Sequence, residues 1–321
     1  MSNFIAWLAA VAVAGCGTDL VSDPSGDPMT AAIEQDLATC SHLPSHVTPR
    51  LVSEVTYLSE ELAFDGAGSL VAKKGEFLLR VPPNGPTSYF SKDPVLATLS
   101  LGLRYLPDGD LAVTQPAVED GLVARIVRVH ADGTTADYVT AADMPPELPP
   151  FIIPNTIAPD DTGGLYVGDF ATSQVFHVAP DRSVISIVVG DAAASVAGSA
   201  WDTTQHALYY TSTSTLRRVQ IGSDGHAAGA PAIVADIPNA RLDGVVLDRC
   251  GNAYAIDSSP ATNHFALWRI GAGAPVQIAS FDDIVSGAQF GAGAGWDDQS
   301  IYVSSVAGKI YRVKVGVRGL R

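Results

Sequence analysis

Basic residues are scarce: 19 Lys and Arg stand against 34 Asp and Glu, giving a formal net charge of −15. Neutralising phosphates requires clustered cations, so this composition excludes a nucleic-acid partner, while an acidic surface suits cations and solubility. Cysteine is scarcer still, with three in 321 residues and no paired CxxC. A Gly-x-Ser-x-Gly elbow, a Walker phosphate loop and an HExxH zinc motif are absent, which removes the nucleophile, nucleotide and zinc-protease chemistries those motifs serve. Long apolar runs are missing too. The stretch from Phe4 to Ala14 is 11 residues, too short to span a bilayer and placed where a secretion signal would sit.

What the chain does have is repetition. Third strands read Leu79-Arg80-Val81, Val127-Arg128-Val129, Phe176-His177-Val178, Arg217-Arg218-Val219, Trp268-Arg269-Ile270 and Tyr311-Arg312-Val313. From Arg80 through Arg128, His177, Arg218 and Arg269 to Arg312 the basic residues recur at intervals of 48, 49, 41, 51 and 43, the period of a four-stranded propeller blade. Asp- and Gly-bearing turns such as Phe64-Asp65-Gly66, Pro107-Asp108-Gly109 and Leu247-Asp248-Arg249 precede short second strands such as Leu165-Tyr166-Val167 and Ile301-Tyr302-Val303. Asp and Gly suit tight hairpins, and the strands are rich in β-formers. The expected fold is therefore all-β, a six-bladed β-propeller of four-stranded blades over residues 49–321. The repeated basic residues are expected to pair with acids between strands or blades.

Outer strands can be read at Thr135–Thr140, Val184–Val189, Ala232–Ile237 and Val276–Phe281, and more weakly near Thr87–Ser91. The last blade lacks one, and Arg50–Val55 reads like the missing strand, so this N-terminal segment is expected to close the ring and cover an open edge. The connection from Met144 to Pro154 holds Pro145, Pro146, Pro149, Pro150 and Pro154. It is stiff and extended, either a wall that points Phe151 into the mouth of the ring or an inert spacer.

The repeat also works as a ruler. Counting back ten residues from the second strands gives Glu60, Asn155 and Asp243 in blades one, three and five. Inner strands begin at one mouth of the channel, so these side chains should converge there. Three oxygen-bearing groups make a hard-cation site for calcium or another divalent metal, while no His or Cys occupies the register for zinc. Turn residues or a solvated Glu would produce the same letters. Loops between second and third strands add Glu119, Asp120, Asp169, Asp257 and His264 as candidate pocket residues, with His264 a candidate base.

The ending Val13-Ala14-Gly15-Cys16 resembles the lipobox of bacterial lipoproteins, although Met1 to Phe4 carry no Lys or Arg. That resemblance implies a signal over residues 1–15, a lipidated Cys16, a tether over 16–48 and a place in the bacterial cell envelope, the lipid being the sole membrane contact. A buried N-terminal helix is the alternative. Cys40 and Cys250 then remain, either as two free thiols or as a disulfide pinning the tether beneath the ring.

Ser59-Glu60-Glu61-Leu62-Ala63-Phe64, Pro154-Asn155-Thr156-Ile157-Ala158 and Leu242-Asp243-Gly244-Val245 resemble the six-bladed propeller family of gluconolactonases and regucalcin-like proteins. The resemblance covers residues 50–315 and implies a divalent metal, usually calcium, on Glu60 and Asp243 with Asn155 lining the pocket. It further implies a hydrolase of a small lactone or ester, with Asp243 deprotonating the attacking water; the chain is expected to be a monomer. One departure stands out: the fourth blade carries Ala197 where the family has a metal-binding Asn. The competing reading is a non-catalytic propeller that binds a small ligand or a protein partner.

Overall fold

A computed structural model describes residues 40–55, 60–75, 77–97, 99–118, 123–260 and 262–320. Six four-stranded antiparallel sheets form the blades of a ring. The first blade is β2 (Leu62–Phe64), β3 (Leu70–Lys74), β4 (Phe77–Val81) and β5 (Ser88–Ser91), and the second is β6 (Leu103–Tyr105), β7 (Leu111–Gln115), β8 (Arg125–Val129) and β9 (Thr135–Val139). The third is β10 (Pro154–Pro159), β11 (Leu165–Asp169), β12 (Gln174–Val178) and β13 (Val184–Val189). Next come β14 (Val196–Asp202), β15 (Ala207–Ser212), β16 (Thr215–Gln220) and β17 (Ala232–Asp236), then β18 (Leu242–Leu247), β19 (Ala253–Ser259), β20 (His264–Ile270) and β21 (Val276–Ser280). The sixth holds β22 (Val285–Phe290), β23 (Ser300–Ser305) and β24 (Lys309–Lys314), and β1 (Arg50–Glu54) completes it from the other end of the chain. Arg50 faces Arg312 and Glu54 faces Lys309 across that last pair. The ring is closed by the N-terminal strand, as the repeat predicts.

Alternation of apolar residues on each strand puts one face of every blade against the next, and the core is a set of such interfaces. Leu62, Leu70, Leu103, Leu111, Ile126 and Leu165 are fully enclosed, each worth about 1.5–3 kcal/mol of burial. The closing seam is aromatic. Phe64 meets Trp296 edge-on at 5.1 Å and Tyr302 at 5.3 Å, and Trp296 Nε1 donates to the Gly68 carbonyl at 3.0 Å.

Cys40 and Cys250 are joined in a disulfide. It ties the start of the described chain to the β18–β19 turn, after which the Val47 N–H donates to the Ile278 carbonyl on β21 at 2.6 Å and Arg269 reaches the Pro44 carbonyl at 2.9 Å. The repeated basic residues are structural where they pair: Arg128 binds Asp108 and Asp110, and His177 binds Asp160 at 2.8 Å. The Pro-rich connection corrects one expectation. Phe151 does not point into the mouth; it is buried in the core shared by blades two and three, edge-on to Phe176 at 5.1 Å, because a large apolar ring gains more there than in a polar channel. Among the described residues no helix is long and apolar enough to cross a membrane. Cys16 and the rest of residues 1–39 lie outside the described residues.

Candidate functional site

The aligned position has a local structural cause. In blades three to six the inner strand slips register at its start, between Pro154 and Thr156, Val196 and Ser199, Leu242 and Val245, and Val285 and Ala288. Such bulges leave a residue out of the ladder and re-aim its side chain. Asn155, Ala197, Asp243 and Ser286 occupy these slips, while Glu60 and Leu101 precede β2 and β6.

Glycines following this position let the strands close in. A Cβ on Gly198 would lie 2.2 Å from the Asp243 carbonyl oxygen, and one on Gly287 would lie 2.2 Å from that of Glu60. Hydroxyls on the second strands hold the glycine at the start of the inner strand in alternate blades. Thr114 Oγ1 accepts from the Gly102 N–H at 2.7 Å, Thr211 Oγ1 from Gly198 at 2.7 Å and Ser304 Oγ from Gly287 at 3.0 Å. Glu60, Asn155 and Asp243 fall in the other three blades.

Beside this position a buried polar belt lines the channel. Glu61 pairs with Arg104 at 2.6 Å and accepts from the Leu103 N–H at 3.0 Å. Thr156 Oγ1 donates to Glu61 at 3.5 Å and lies 2.9 Å from Ser199 Oγ. Glu61 is therefore supported from blades two and three. Glu60 is not: its carboxylate makes no hydrogen bond among the described residues. Asp243 receives one, from Ser258 Oγ at 3.3 Å.

The electrostatics follow from that poverty of partners. Burial, then the neighbouring Glu61 charge, push the Glu60 carboxyl up to about 7, with Arg241 pulling it down. Burial and the Glu60 charge hold Asp243 well above the usual carboxylate range, again against Arg241. Buried carboxylates raised by neighbouring acid charge and short of donors are a place where a cation would relieve the repulsion. The donor set is all oxygen, which fits a hard divalent ion. Among the described residues no three His, Cys, Asp or Glu gather for a metal, so Asn155 would have to supply the third ligand atom from the protein.

The other candidates separate clearly. Asp169 is fully buried and spends its carboxylate on the N–H groups of Ile152, Ile153, Ala171 and Thr172, at 2.8–3.1 Å. That makes it the organiser of its loop. Asp257 is also buried; it accepts from the Arg241 N–H at 3.1 Å and holds His264 Nδ1 at 2.9 Å, leaving His264 41% exposed. Glu119 and Asp120 lie outside the described residues. Single-residue reading missed Glu61, Arg104, Thr156 and Ser258; the next column of the repeat points to Glu61 and Thr156, and no spacing points to Arg104 or Ser258. A cavity of about 230 Å³ opens where the inner strands end, lined by Arg104, Trp201, Val246, Phe290 and Leu320 among others. No acid lines it.

No family model matches the sequence, and no curated protein matches it. Solved structures do. A gluconolactonase from Xanthomonas campestris superposes with a TM-score of 0.66 at 15% identity, over 83% of this chain and 88% of its own. The calcium-binding protein regucalcin from Agrobacterium tumefaciens gives 0.63 at 15% identity, over 84% and 95%. Virginiamycin B lyase from Staphylococcus aureus gives 0.55 at 15%, over 77% of each chain. The fold is shared with all three. Their chemistries differ, so the site has to argue the function.

Proposed function

We propose that this propeller hydrolyses a lactone or small ester at the mouth where Glu60, Asn155 and Asp243 converge. The observation that carries the reading is the pair Glu60 and Asp243, two carboxylates from different blades that share one field and almost no donors. The gluconolactonase and regucalcin neighbours support it. A divalent cation, calcium first, would be held by Glu60, Asn155 and Asp243 and would polarise the acyl carbonyl. Ser258 fixes the Asp243 carboxylate through Oδ2, leaving Oδ1 to take a proton from the attacking water. The water oxygen bonds to the acyl carbon, the acyl C–O bond breaks, and the proton passes to the departing alkoxide. Glu61, already neutralised by Arg104, keeps its place in the wall.

Ala197 favours a second reading, a propeller that binds a small ligand or protein without turning it over, because the fourth blade offers a methyl group where an amide would ligate. Titration with Ca²⁺, Mg²⁺, Mn²⁺ and Zn²⁺ followed by melting separates the two. An ion at a hundredfold excess over its Kd adds about 2.7 kcal/mol, and Glu60→Ala or Asp243→Ala should each remove that shift. No shift with any ion moves the assignment to the binding reading. Lactone turnover undiminished in both variants refutes the site.

We further propose that the protein works as a monomer in the bacterial cell envelope, anchored through a lipid on Cys16. Membrane fractionation should lose the protein to the soluble fraction on Cys16→Ser; unchanged partitioning overturns the anchor.

A further inference from the structure

The rim of the same mouth carries an arginine that the proposed chemistry does not use. Arg241 lies one residue before β18, and its backbone is held from several directions. Its N–H faces Asp257 Oδ1 at 3.1 Å and Ser259 Oγ at 2.7 Å, while its carbonyl accepts from the Ser258 N–H at 2.9 Å and from Ser258 Oγ at 3.3 Å. The turn before it is tight, with Asn239 at φ 66° and the Ala240 N–H bonded to the Ile237 carbonyl at 3.0 Å. Asp257, the centre of this clamp, also fixes the half-exposed His264.

So rigid a backbone presents a side chain that has nothing to bind. Arg241 is exposed, and its guanidinium donates to no described residue. It lies near enough to Glu60 and Asp243 for its charge to act on both, yet it closes an ion pair with neither. Five N–H donors in a planar fork are thus left without a partner among the described residues. That fork matches a carboxylate or phosphate in two parallel bonds, which a neutral ligand cannot exploit. In a molecule of net charge −15, a fixed cation at the entrance also offsets the repulsion an anionic ligand would meet on approach.

We propose that Arg241 is the specificity residue of this mouth and selects substrates that carry a fixed anionic group, a carboxylate or phosphate, beside the lactone or ester. The proposal rests on the hydrolase reading above for its reacting group, and on Arg241 alone for its charge.

The test compares a neutral δ-lactone of a sugar, its 6-phosphate and its 6-carboxylate analogue on the wild type, Arg241→Met and Arg241→Lys. The wild type should favour at least one anionic lactone over the neutral one by tenfold or more in kcat/KM, chiefly through KM. Phosphate against carboxylate identifies which anion the fork was built for. Arg241→Met should bring the ratio to within about twofold of unity, and Arg241→Lys, which keeps charge but not the fork, should fall between. A wild-type ratio near one, or a ratio preserved in Arg241→Met, overturns the proposal. Melting with methyl phosphate or acetate supplies a readout free of turnover. A wild-type shift that Arg241→Met abolishes sustains anion selection even if no lactone is hydrolysed, in which case the hydrolase reading alone fails. A shift absent in the wild type, or equal in both, removes Arg241 from the site. Should Arg241→Met not fold, Arg241→Lys carries the same comparison.

Discussion

Aspartates sit at both ends of the ring, and the two sets live differently. In the hairpin turns between inner and second strands each carboxylate folds back on its own backbone. Asp65 accepts from the N–H groups of Ala67, Gly68 and Ser69, Asp202 from Thr204 and Gln205, and Asp248 from Cys250 and Asn252. At the opposite mouth Glu60 has no such donors and Asp243 has one. A carboxylate surrounded by N–H groups is consumed by folding; one buried without them keeps its reactivity. The contrast marks Glu60 and Asp243 as the least satisfied of these carboxylates.

The sharpest way to break the comparison is to remove one acid from each end. Asp243→Ala should lower lactone turnover by about 10²–10⁴-fold and abolish the calcium melting shift. In the cation-free protein it should leave the melting temperature unchanged or higher, because a buried carboxylate short of partners costs stability when charged. Asp202→Ala should do the reverse, keeping turnover and the calcium shift while losing about 1–2 kcal/mol of stability. If both variants lose the same thing, the two ends are not different in kind.

The disulfide gives the next largest effect. Cys250→Ser releases the segment that Cys40 pins to the Asp248 turn, and about 2–4 kcal/mol of stability should go with it. The bond belongs to the turn end, so the calcium shift at the other mouth should persist; denaturant melts with and without calcium read both.

A smaller effect separates the ends by pH. Burial would raise the Asp160 carboxyl, but His177 together with the hydroxyl and N–H of Thr162 and the N–H of Gly164 outweigh it and hold it at about 2. A depressed pKa contributes stability that is full above the ordinary value near 4 and vanishes as pH falls toward 2. Asp160→Asn should therefore cost about 2 kcal/mol at pH 7, and the difference from wild type should shrink between pH 4 and pH 2 in acid melts. A constant gap across that range would mean that Asp160 acts by shape and not by charge.

The fold was legible because six copies state it. The intervals from Arg80 to Arg312 gave the blade count, and the outer strands, including β1, stand within a residue or so of where they were read. The inner-strand positions of Asn155 and Asp243 were also legible, since a bulge recurs there in blades three to six. Partners were not. That Glu61 is neutralised by Arg104, or that Asp169 is spent on four backbone N–H groups, depends on contacts between blades or within a loop that no spacing encodes. Phe151 was misplaced for the same reason: proline stiffness predicts an extended segment but not which side its aromatic ring will face.

The mildest intervention tests the Ala197 gap. Of the six equivalent positions Glu60, Asn155 and Asp243 alternate with Leu101, Ala197 and Ser286, so the proposed ligands come from every second blade. Ala197 is 8% exposed and sits at the β14 bulge, next to the glycine that seats the Asp243 carbonyl. Ala197→Asn would place an amide oxygen beside Asp243 in a site for which only three protein ligands are proposed. Affinity for a hard cation rises with ligand number, and one neutral oxygen should tighten calcium by about tenfold, or about 1.4 kcal/mol, read as a calorimetric Kd. Asp202→Asn, a change of similar size at the turn end, should not move it. If Ala197→Asn leaves the Kd unchanged while the protein still melts cooperatively, the fourth blade does not face the cation, and the ligand set must be sought among the blades that flank Glu60.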